Sequence, residues 1–75
     1  MSTNGKTKCV PNLEYDLLTV MHNKCEAVNA YDTYIEDAQA AGSQPCVELL
    51  QKLKESEMDQ VKEIRQHLQK VMQTA

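Results

Sequence analysis

Ala41-Gly42-Ser43-Gln44-Pro45 interrupts an otherwise continuous helical pattern, and the fold follows from that interruption. Gly42 suits the left-handed residue that closes a helix. Ser43 or Gln44 can precede a new start, and Pro45 fits a first helical turn, where its missing N–H costs nothing. A break this short forces the two flanking helices to lie antiparallel. Upstream, Leu17, Met21, Val28, Tyr31, Ile35 and Ala38 recur at helical spacing on one face. Downstream, Leu49, Leu50, Leu53, Val61, Ile64, Leu68 and Val71 form a second apolar stripe. The spacing predicts one helix from about Leu13 to about Ala41 and another from about Pro45 to Met72. Each is nearly 30 residues and so roughly 40 Å long. Asn12 is placed to cap the first helix, with Glu14 and Asp16 in the favourable field of its first turn. Residues 1–11, polar and ending in Pro11, read as a flexible N-terminal arm, and residues 12–75 as the helical unit.

The chain has 75 residues, no Trp or Phe and three Tyr. Two helices cannot enclose a useful core, and a chain this short usually needs a staple, a metal or a partner subunit. Each helix has one apolar stripe and a charged outer face that includes Lys52, Lys54, Lys62 and Arg65. A hairpin therefore keeps apolar surface on an open side, and pairing two hairpins into a four-helix bundle covers it. The expected fold class is all-α: an antiparallel two-helix hairpin dimerising into a four-helix bundle, with higher oligomers open.

The net charge is -3, with acidic and basic residues interspersed. Without a basic stripe, nucleic acid is not an expected partner. No apolar run approaches the ~20 residues of a membrane helix, and Lys6 and Lys8 precede a polar stretch, not the apolar core of a signal peptide. A cytoplasmic location is expected. Cys9, Cys25 and Cys46 are an odd number at unrelated spacings, without a zinc pattern, and read as thiols of a reducing compartment. Cys25 flanks the apolar face and reads as a small core residue, while Cys9 leaves an intermolecular disulfide open.

Two charges break the stripes. Glu57 falls near the middle of the second, and Lys24 sits between Met21 and Val28 on the first. A core-facing carboxylate is costly unless paired, protonated or bound to metal. A core-facing lysine either meets an acid or carries its ammonium to solvent along a packed stem. Gln60 borders the stripe one turn after Glu57, and Tyr31 offers a phenol two turns after Lys24. The expected buried polar cluster is Lys24, Tyr31, Glu57 and Gln60, with Tyr31 able to hydrogen-bond a glutamate. His22 lies off the stripe, and His67 borders it as a surface histidine does. No Ser/His/Asp set, phosphate loop or catalytic cysteine signature is present, so enzymatic activity is not the leading expectation.

The run Val20-Met21-His22-Asn23-Lys24-Cys25-Glu26-Ala27-Val28-Asn29-Ala30-Tyr31, with Glu57-Met58-Asp59-Gln60 after it, resembles the ferritin-like superfamily. Within that superfamily it is most similar to the two-helix encapsulated ferritins, half-size chains that complete a four-helix site by pairing. Bacterioferritin and rubrerythrin halves are similar too. The resemblance covers residues 13–72. It implies a first-helix metal Glu with a Tyr seven residues on, and a second-helix Glu-x-x-His. Ala27, Val28, Tyr31 and Glu57 match. The first metal Glu falls on Lys24 and the ligand His on Gln60, so two ligand positions depart from the pattern. Glu26 is about 200° of helix from Lys24 and reads as a surface charge. The resemblance with these departures implies a structural or interaction module with no cofactor, in which lysines replace the metal as counter-charge. The alternative is a metal-binding or ferroxidase-type protein, holding iron or another divalent metal through Glu57 and Gln60 at the dimer interface.

Overall fold

A computed structural model describes residues 9–74. It contains two helices, α1 (Asn12–Ala40) and α2 (Gln44–Thr74), and no strand among those residues. The two helices pack against each other as a hairpin. The expected arm falls largely on residues 1–8, which lie outside the described residues, as does Ala75.

The turn is built from its residue types. Gly42 has φ 71°, and the N–H groups of Gly42 and Ser43 donate to the carbonyls of Gln39 and Ala38, each at 3.0 Å. Those two bonds are the Schellman closure of α1. Ser43 then starts α2: its carbonyl accepts from the Val47 N–H at 3.0 Å and its Oγ accepts from the Cys46 N–H at 3.4 Å. A Cβ at position 42 would meet nothing within 4 Å, so only the backbone restricts this site. Gly42→Ala is therefore expected to cost about 1–2 kcal/mol, the penalty of a left-handed L-residue. Thermal unfolding followed by circular dichroism measures it.

At the other end, Asn12 lies inside α1 instead of capping it. Pro11 holds the capping position with extended backbone, and its carbonyl accepts from the Tyr15 N–H at 3.0 Å. Proline's fixed φ suits that boundary, and Glu14 is the acidic residue of the first turn.

The seam of α1 is the stripe read from its spacing: Leu17, Met21, Lys24, Val28, Tyr31 and Ile35 are half-buried and Ala38 is buried. The seam of α2 differs from expectation. It runs Val47, Leu50, Lys54, Glu57, Val61, Ile64, Leu68 and Val71, at alternating steps of three and four residues. Steps of that kind keep one narrow line of side chains facing a partner helix. Leu49 and Leu53, assigned to the stripe by sequence, stand beside it and are 53% and 41% exposed. Lys54, assigned to the outer face, sits in the seam. Among the described residues only Ala38, Val47 and Leu68 are buried, and no side chain is fully enclosed. Two of those three, Ala38 and Val47, flank the turn. A single hairpin therefore leaves large apolar side chains exposed, among them Leu13, Val20, Tyr34, Leu49, Met58 and Met72.

Candidate functional site

The mid-length polar group is assembled by the antiparallel pairing. Lys24 projects from α1 toward Glu57 and Gln60, which lie one turn apart on α2. Its Nζ donates to Glu57 Oε1 at 3.2 Å and to Gln60 Oε1 at 2.7 Å. An ammonium offers donors only, so the Gln60 carboxamide turns its oxygen toward it. The Lys24 and Glu57 side chains are 30% and 25% exposed. They are neither a solvated surface pair nor a dry one.

Of the four residues expected in the cluster, the hairpin brings Lys24, Glu57 and Gln60 into contact. In the hairpin they are only half-buried, and Gln60 is exposed. Tyr31 is half-buried two helical turns nearer the interhelical turn than Lys24. Its ring packs edge-on against Tyr34, with centroids 5.7 Å apart and planes at 80°, and it makes no hydrogen bond to Glu57 among the described residues.

A second ion pair was not anticipated. Lys54 Nζ lies 2.6 Å from Asp32 Oδ1, with Asp32 66% exposed. The unbroken three–four spacing from Val47 to Val71 is the signal that places Lys54 on the seam. Asp32→Asn is expected to change stability by less than about 1 kcal/mol, because exposed pairs contribute little. Urea unfolding checks this.

Cys25 is exposed, not a core residue; it lines a shallow groove of about 270 Å³ with Val28, Met58 and Val61. No disulfide joins Cys9, Cys25 and Cys46. His67 lines a groove on the Lys24 side with Leu17, Gln60, Glu63 and Ile64, while His22 and Glu26 are exposed. Among the described residues no three of His, Cys, Asp and Glu converge as metal ligands, and no helix is long and apolar enough to cross a membrane.

No protein-family model matches the chain, and neither a curated protein nor a solved structure matches it.

Proposed function

We propose that this chain is a ferritin-like helical hairpin acting as a structural or interaction module, completed when two copies pair into a four-helix bundle. The observation that carries the reading is the double hydrogen bond of Lys24 Nζ to Glu57 and Gln60. It lies near mid-length, so two-fold pairing would bring two such groups close together in the bundle interior. Each group is neutral by itself, with one ammonium for one carboxylate, and needs no further cation. The half-buried side chains of the seam are those a second hairpin would enclose. Three thiols and no disulfide suit a reducing, cytoplasmic setting.

The donor set argues against the iron chemistry that the family resemblance implies. Carboxylates and imidazoles hold such metals in helical bundles. The corresponding positions here offer one carboxylate, one amide and an ammonium, and the ammonium stands where a cation would have to sit. The residues do not fit the metal, and no catalytic step is assigned to it.

The test is to incubate the purified protein with excess Fe²⁺ or Zn²⁺, desalt it, and measure metal per chain and melting temperature. No stoichiometric metal and an unchanged melting temperature are expected. Stoichiometric metal, lost in Glu57→Ala, would instead make Glu57 a ligand, with Gln60 as its neighbour, and would support a ferroxidase-type protein.

A further inference from the structure

The hairpin has two open sides, and they differ. On one side, the row beside the α1 seam is Leu13, Val20, Ala27 and Tyr34, and the α2 row is Cys46, Leu53, Gln60 and His67. No Asp, Glu, Lys or Arg occurs in either row. Leu13, Val20, Tyr34 and Leu53 are 57%, 43%, 49% and 41% exposed, and Leu49 lies just outside Leu53. The equivalent rows on the other side are Leu18, Cys25, Asp32 and Gln39 on α1 and Gln51, Met58, Arg65 and Met72 on α2, so each carries a full charge among its apolar members. Rows flanking a two-helix seam are normally charged, because they normally face water. The uncharged side is composed like a surface that is covered.

We infer that a second copy of this chain docks on the side carrying Leu13, Val20, Tyr34 and Leu53, leaving Leu18 and Met58 in solvent. This rests on the paired-bundle reading and specifies its face. Three observations select a second copy as the occupant. Two packed helices about 43 Å long present a face about 20 Å wide, hence roughly 800–900 Å², close to the area each partner contributes to a standard stable interface. In a symmetric dimer the same patch meets itself, so the patch must not repel itself. Here the charges nearest its middle, Lys24 and Glu57, already neutralise each other at 3.2 Å, and Glu63 stands at the rim one turn from His67, in the groove they share with Lys24. α1 contributes apolar residues along its length, from Leu13 to Tyr34, and α2 adds Leu49 and Leu53 in its half nearer the turn, so the patch spans both helices, as four-helix packing requires and as docking of one short peptide does not.

Leu53 and Met58 make a matched pair for the test. They lie five residues apart on α2, on opposite sides of the seam, and are 41% and 44% exposed. Leu53→Glu and Met58→Glu are prepared in the full chain, with helicity checked by circular dichroism and dimer dissociation measured by sedimentation. Leu53→Glu is expected to weaken the dimer at least about 100-fold, and Met58→Glu by less than about threefold. Val20→Gln, on α1 and milder, is expected to weaken it about tenfold and serves if Leu53→Glu loses helicity. A dimer broken by Met58→Glu and spared by Leu53→Glu and Val20→Gln overturns the face while the paired bundle stands. A dimer that both glutamate variants break, or that neither breaks, also overturns the face. A native chain that never dimerises overturns the pairing itself.

Discussion

Lys24→Glu is expected to destabilise the protein by about 2–3 kcal/mol, more than any other single polar substitution considered. The change removes two hydrogen bonds and leaves two carboxylates facing each other on a half-buried seam. An exposed pair would contribute under about 1 kcal/mol, and breaking a fully buried one would cost about 3–5 kcal/mol. With the two side chains 30% and 25% exposed, the cost falls between these limits. For a domain of this size that corresponds to a fall in melting temperature of roughly 10–20 °C. The exchange Lys24→Glu with Glu57→Lys should recover all but about 1 kcal/mol. Gln60 helps, because a carboxamide can turn its NH₂ toward the new carboxylate as readily as it turned its oxygen toward the ammonium. A double-mutant cycle in urea measures the coupling. An additive cycle would mean that the lysine and glutamate act independently and that their contact contributes nothing.

Lys24→Glu combined with Gln60→His is expected to convert the same place into a divalent-metal site. The side chains at positions 24, 57 and 60 already converge within hydrogen-bonding distance. Each hairpin would then offer two carboxylates and an imidazole, and a pair of hairpins would double that set, the combination that di-metal bundles use. The metal-free variant should carry the carboxylate repulsion of the single change. Fe²⁺ or Zn²⁺ should relieve it, adding about 2.7 kcal/mol at a concentration one hundred times the dissociation constant. Melting with and without metal, together with bound metal per chain, reads both effects. A folded variant that takes up no metal would remove the main support for aligning this chain with ferritin-like proteins.

The hairpin and most of its polar group were legible from the sequence. The turn was readable because Gly42, Ser43 and Pro45 each have a backbone reason to be there. Lys24 and Glu57 were readable because each stands where an apolar residue was due. The side assignment on α2 was not. Leu49, Leu50 and Leu53 span an arc wider than one seam, and hydrophobicity says that a side chain avoids water without saying which neighbour covers it. That excess width placed Leu49 and Leu53 in the stripe, and it is the same excess that leaves an apolar side on the hairpin. Lys54 was assigned to the outer face by its charge, yet a lysine can lie in a seam and still carry its ammonium outward. Its partner Asp32 is known only once the antiparallel alignment is fixed. Tyr31 was placed on the right face, but it stands two helical turns, about 10 Å, from Lys24, beside the level at which Asp32 meets Lys54 and away from Glu57.

The central claim is that the hairpin is half of a paired bundle, and solution mass tests it most directly. Sedimentation equilibrium of the native chain under reducing conditions, across a wide range of concentrations, separates one copy of 8.5 kDa from two. A mass of two chains, with melting that rises with protein concentration, is the expected result. A mass of one chain at every concentration, with concentration-independent melting, would contradict the paired bundle.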